Sequence, residues 1–489
     1  METQKIEKEK KKSFKKIHYS LIVFTFIQVI WYMTFSEPLT ILIGGEPIFP
    51  FILSDDIISR TARLVMIYHS LAIPFLVANT FWILEHYPVR TRWIPTLKVL
   101  LLTGAYLVGI FGMLFAYTRY RLFHEFFYFG MLLCFLGGIV FVISAFPIAG
   151  KFPDPDTNRE GSTFRGMNLE YLNLEILAVC VLISTIYGAL AAIENFTGTI
   201  WNLGREPIAF LAEAIIRHEH HDLVQDMIVS HLHIQLAQSA AMVLMVGFRT
   251  SKVSGKVLKV ISIAFPIGLL TLSYGAWILN HYIIWVGAGL LILVTLTVSL
   301  VGMKNVIKDK LGENYSLASR FEKIKTLLKS PVRFSYYYLF ALSQFLVIPQ
   351  IYVGLLVDEV YRLHSYATLE YGFNVGHWHM LAVMISTLLM LHAIDYFNVK
   401  GRLSKILGWT FFIGLNLTFI GGMFYQIRPV EAINDLTLMY VAFVGVWFLF
   451  AGFIIGVYAL GKALRESRRE LKSEYVLIPG ELKEIREEF

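Results

Sequence analysis

Two histidine pairs, His231-Leu232-His233 and His377-Trp378-His379, and a single His69 lie toward corresponding ends of three strongly apolar stretches. An imidazole inside hydrocarbon is costly and needs a partner, so intramembrane histidines are functional candidates. Neutral imidazole is also the commonest protein ligand for transition metals, iron and copper included. A lone histidine is as readily a hydrogen-bonded packing residue, but that reading weakens when five recur at one depth. The five together suggest a membrane metalloprotein that moves electrons.

Spacing refines this. Residues two apart on a helix point roughly 200° apart, so one His-x-His reaches two different partners on opposite faces. His377 and His379 suit that role. One cofactor with two axial ligands takes His379 and His69, while its neighbour takes only His377 and keeps an open face. Haem fits: bis-histidine haem transfers electrons, and single-histidine haem leaves a position for a diatomic gas. His231 and Gln235, four residues apart, share a helix face. With His281 and Asn280 they form a candidate second metal site opposite the open haem, iron or copper. His233 is an alternative ligand or a packing residue. Amide oxygens are poorer donors than imidazole for first-row metals, so this site is weaker than one of three histidines.

The elements that carry these residues are membrane helices. Of 489 residues, 56% are hydrophobic and 16% charged, and the apolar runs are long enough to cross a bilayer repeatedly. We expect an all-α membrane protein, since a lipid-exposed backbone must satisfy its own hydrogen bonds. Twelve transmembrane helices are expected, at about 18–36, 61–84, 96–117, 123–148, 172–193, 227–248, 257–278, 282–303, 335–356, 377–397, 404–425 and 437–461. With both termini cytoplasmic, the outer segments contain arginines and no lysine, and most of the 43 basic residues fall inside. That follows the positive-inside rule and places the protein in the cytoplasmic membrane. The net charge of +7 is thus spread over inner loops and does not suggest nucleic acid. The chain reads as one polytopic domain, 1–489, with a basic N-terminal tail at 1–17, a C-terminal tail at 462–489 and no cleavable leader. His69, His231 and His377 recur every fourth span, all toward the outer end, which suggests three four-helix arcs around a common axis.

The pattern resembles subunit I of the haem-copper oxidase superfamily, and its nitric oxide reductase branch above the others. His231-Leu232 followed by Gln235 is similar to that branch's His-Leu-x-x-Glu, and Asn280-His281-Tyr282-Ile-Ile-Trp285-Val-Gly287 to its His-His-Tyr-x-Trp-x-Gly. The resemblance implies low-spin haem b on His69 and His379, high-spin haem b on His377, and a non-haem iron or copper on His231 and His281. It also places Arg428 near the haem propionates, with a solvated loop arginine as the alternative. The departures are specific: Gln235 replaces a carboxylate and Asn280 a histidine, as in relatives similar to nitric oxide dismutase. Tyr274 stands where one class of oxygen reductases carries its active-site tyrosine, although an interfacial tyrosine is equally ordinary there.

These residues imply reduction of nitric oxide, with oxygen reduction or nitric oxide dismutation as alternatives. A cytochrome b that only carries electrons or senses gas belongs to another class, and so does a transporter. Cys134 and Cys180 lie in apolar runs and no Cys-x-x-Cys-His occurs, so neither a thiolate site nor covalent haem is expected. Electrons then come from a donor subunit, a cytochrome c-type carrier or quinol. Inner acids are few. Glu175 and Asp395 are expected to reach to the interface, and Thr295 and Ser299 share a face that suits either packing or an inner path. The outer side is richer in acids, and His218-Glu219-His220-His221-Asp222 reads as a polar helix end or as a surface metal site or proton relay.

Overall fold

The computed structural model describes residues 2–35, 57–146, 159–197, 223–278, 280–344, 348, 367–427 and 435–476. The His233, His281, His377 and His379 side chains lie outside that description, as do Arg428 and the segment 218–222.

Thirteen helices account for nearly all of the described chain. They are α1 (Glu2–Phe35), α2 (Ile57–His86), α3 (Ile94–Thr118), α4 (Arg121–Ala145), α5 (Leu169–Thr197), α6 (Leu223–Thr250) and α7 (Gly255–Trp277). There follow α8 (His281–Leu311), α9 (Arg320–Leu328), α10 (Pro331–Leu342), α11 (Ala367–Tyr396), α12 (Gly401–Ile427) and α13 (Asp435–Val476). Among the described residues, eight helices are long and apolar enough to cross a membrane: α2 to α5, α7, α8, α12 and α13. This is an all-α protein of the multi-pass membrane type. Among the described residues the one sheet is a hairpin of two-residue strands, β1 (Thr163–Phe164) and β2 (Met167–Asn168). Arg165 and Gly166 both take positive φ, 49° and 83°, which suits the tight turn between paired strands.

Successive helices pack side by side, and α1 also meets α13, so the order closes on itself. Helix α6 sits inward, touching α2, α5, α7, α8 and α11. Small residues let the backbones approach, as between α3 and α4. There, a Cβ on Gly130 would stand 2.8 Å from the Val108 nitrogen.

One end of the bundle is fastened by charge. Glu170, fully buried at the start of α5, receives the Arg159 guanidinium on both oxygens and pairs with Arg249 of α6 at 3.3 Å. Arg159 also donates to the carbonyls of Phe248 and Val253. Tyr87, just past α2, donates to the Met245 carbonyl at 2.8 Å. Burial, and then the Glu170 carboxylate, push the Tyr87 phenol well above its ordinary value. Arg333 bonds Asp395 at 2.8 Å, and Lys252 bonds Asp309 at 2.7 Å. These are the ends with basic loops. His231 lies 18 residues before Arg249 on α6, about 27 Å away along the helix axis.

Candidate functional site

At the opposite end, α2, α5 and α6 meet around His231. Its Nδ1 lies 2.7 Å from the Ser184 carbonyl oxygen, with the Ser184 hydroxyl near 3.5 Å. A carbonyl only accepts, so Nδ1 carries the proton and the neutral ring keeps its lone pair on Nε2. A backbone carbonyl holding the far nitrogen is the usual way a ligating histidine is oriented. Gly188, one turn beyond Ser184, makes room: a Cβ there would stand 2.6 to 2.9 Å from three atoms of the His231 ring.

His69 of α2 faces this ring. The two imidazoles are nearly parallel, at 6°, with centres 6.3 Å apart. Two imidazoles bound trans to one metal, each by a bond of about 2 Å, have centres roughly 6 Å apart. His69 is half-buried and meets Phe127 of α4 edge-on at 6.3 Å. Gln235, one turn below His231, is also half-buried. Its Oε1 is inaccessible and has no hydrogen-bond partner among the described residues. An orphaned amide oxygen next to a histidine with an available lone pair is a donor set that suits a metal ion.

The sequence divides His69 and His231 between different metals, yet the structure sets them beside each other, because both project into the α2–α6 contact. Two other candidates are placed differently. Asn280 Oδ1 accepts from the Ile283 backbone N–H at 3.1 Å, so it caps α8. Tyr274 is 51% exposed, on the outside of the bundle, with its ring edge toward Trp277. The rotation of α7 carries that hydroxyl away from His231.

Of the inner polar residues, one departs from expectation and the others keep to it. Glu175 is buried at 5% exposure and does not reach the interface, whereas Asp395 does and pairs with Arg333. Ser299 donates to the Tyr337 carbonyl and Thr295 to its own helix, so both hydroxyls are spent on packing.

His281, His377, His379, His233 and Arg428 lie outside the described side chains. Among those described, no group of three His, Cys, Asp or Glu converges. Ser184 and Gly188 escape sequence reasoning. A backbone carbonyl has no signature, and a glycine four residues from a serine on an apolar helix is unremarkable packing. No family model and no curated protein matches the chain.

Proposed function

We propose that this chain is a membrane haem b oxidoreductase that reduces two nitric oxide molecules, with two electrons and two protons, to nitrous oxide and water. The observation that carries the reading is His231, oriented by the Ser184 carbonyl and one turn from the Gln235 Oε1 that no described residue pairs. Two imidazoles face one another, one with its tautomer set by Ser184, at the end of the bundle remote from the charged clamp. Low-spin and high-spin haem b would supply electron transfer and a gas-binding face, and a non-haem iron or copper a second one. His69 is a haem ligand in this reading. His231, with Gln235 and His281, holds the non-haem metal, and His377 and His379 serve the two haems. Two gas molecules held in one dry pocket favour N–N bond formation through orientation.

The accompanying topology is twelve spans in three arcs, in the cytoplasmic membrane with both termini inside. Described helices over eleven of the twelve expected positions, α10 over the start of the remaining one (335–356), and the contact of α1 with α13 support it. Electrons come from a partner subunit, a cytochrome c-type carrier or quinol.

The 6.3 Å separation also favours a second reading, in which His69 and His231 grip one iron and the protein only carries electrons. Haem and metal stoichiometry on purified protein, with gas turnover under nitric oxide and under oxygen separately, tests both. Two haems b, one non-haem metal and nitrous oxide production support the first. Loss of the low-spin spectrum in His231→Ala with no turnover in wild type selects the second. Protein without haem overturns both.

A further inference from the structure

The ends of α2 and α11 nearest the charged clamp hold a second histidine cluster, which the haem reading does not use. His86 Nε2 lies 3.2 Å from His392 Nε2, with ring centres 5.2 Å apart. Two facing Nε2 atoms at this distance need one proton between them, since one ring must donate and the other accept. The tautomers of the two rings are therefore tied together. His392 is 7% exposed, while His86, in the last turn of α2, is half-buried. One member of the pair reaches into the bundle and the other toward the rim.

The surroundings are aromatic and polar. Trp82 of α2 meets His392 edge-on at 4.5 Å and stacks flat on His18 of α1 at 3.5 Å. Tyr336 of α10 and Tyr396 of α11 flank His392, with ring centres 5.9 and 6.3 Å away. His18 is fully buried, and neither of its ring nitrogens has a partner among the described residues; nor does the Trp82 indole N–H. Unsatisfied buried donors and acceptors of this kind mark a place that takes up further hydrogen-bonding groups. Charges stand at the margin. The Glu85 carboxyl interacts with the Tyr396 hydroxyl, Lys15 lies 5.4 Å over the Tyr396 ring, and Asp395 is engaged by Arg333. A closed metal site is a poorer fit. His18 lies flat against Trp82, and no third His, Cys, Asp or Glu joins the pair among the described residues.

We infer that His86 and His392 form a proton-transfer site, fed from the charged face of the bundle at His86 and passing protons inward through His392. A proton arriving at His86 Nδ1 allows the Nε2–H of that ring to move to Nε2 of His392. His392 then releases its Nδ1 proton to a neutral oxygen or nitrogen base deeper in the bundle. One proton enters, one leaves, and no electrons change hands. The groups facing the pair are His18, Trp82, Glu85, Tyr336 and Tyr396, with Lys15, Asp395 and Arg333 around them.

Full-length protein labelled with 15N-histidine, reconstituted in liposomes, tests this by solid-state NMR without reference to gas chemistry. The expected result in the wild type is a His86–His392 Nε2–Nε2 correlation with both nitrogens at exchange-averaged shifts. His392→Gln should abolish the correlation and leave His86 in one tautomer. Two fixed tautomers across about pH 5 to 8, the range in which imidazole ordinarily titrates, would make the contact a static bridge and overturn the proposal. Stoichiometric movement of both signals on adding Zn2+ alone would overturn it in favour of a metal site. The wild-type spectrum decides even if the variant does not fold.

Discussion

Replacing Gly188 by alanine isolates the orientation of His231 without touching any candidate ligand. The new Cβ would stand 2.6 Å from His231 Cε1, where ordinary contact begins at 3.4 Å. The ring must therefore retreat by roughly 0.8 Å or the helices must part, and overpacking of this kind costs about 1–3 kcal/mol. A retreat directed away from α5 stretches the 2.7 Å bond to the Ser184 carbonyl to about 3.5 Å, beyond useful hydrogen-bonding range. Leaving those buried groups unpaired adds about 1–3 kcal/mol, for a total of roughly 2–6 kcal/mol. The tautomer restraint goes with the bond, so metal binding at Nε2 should weaken 10- to 100-fold, the usual effect of losing such a support. Thermal unfolding in detergent reads the stability, and metal analysis with optical and electron-spin spectra reads the centre. Ser184→Ala is the control. It removes only the hydroxyl, keeps the carbonyl, and should change neither readout much. A Gly188→Ala protein with wild-type stability and an unchanged metal spectrum would show that Gly188 and Ser184 do not position His231.

Gln235→Glu places a carboxylate beside His231 where the orphaned amide oxygen now sits; metal occupancy should rise with the added charge, and in metal-free protein the melting temperature should fall, because a buried unpaired carboxylate is costly. Asn280→Ala should cost about 1 kcal/mol as a lost helix cap and leave the metal content unchanged; a drop in metal would return Asn280 to the ligand set. Glu170→Gln leaves Arg159 and Arg249 facing a neutral amide and should destabilise the fold by about 3–5 kcal/mol in thermal unfolding, with little effect on any haem spectrum. In the capping box of α9, the Ser319 backbone N–H, and then its hydroxyl, hold the Glu322 carboxyl below its ordinary value. The stabilisation is therefore present above the ordinary carboxylate range and lost as pH falls through the depressed value. Amide exchange over residues 320–323, corrected for intrinsic rates, should quicken on acidification, and Glu322→Gln, which removes the titrating group, should abolish that pH dependence.

The helices were legible because a bilayer imposes long apolar runs: α2 to α7 and α12 begin and end within about four residues of them, while α1 starts earlier at Glu2 and α13 runs on to Val476. The level of His69 and His231 was legible for the same reason, since depth follows from position along a span. Rotation was not. A helix that is apolar almost all round carries little amphipathic signal to fix which residues face inward. Tyr274 and Asn280 show the consequence. Their chemistry suits an active site, but one faces outward and the other is committed to the α8 backbone. Pairing was equally hidden, because Glu170 finds Arg159 through the β1–β2 turn and Arg249 through α6, contacts that no local pattern encodes.

Helix α6 shows how the two ends can carry different duties. Toward Arg249 it is tied by ion pairs and carbonyl contacts that tolerate little motion. Near His231 its restraints among the described residues are two bonds with Ser184, one to the carbonyl and one from the hydroxyl, and a glycine notch, while the Gln235 amide oxygen has no described partner. A core built only for stability would pair that amide or replace it with a hydrocarbon, since an unsatisfied buried acceptor works against folding. Its persistence beside an oriented imidazole is more simply explained if something binds there. Rigidity at one end then has a use: it fixes the height of α6 against α2 and α5, so that His69 and His231 meet at one level roughly 27 Å away.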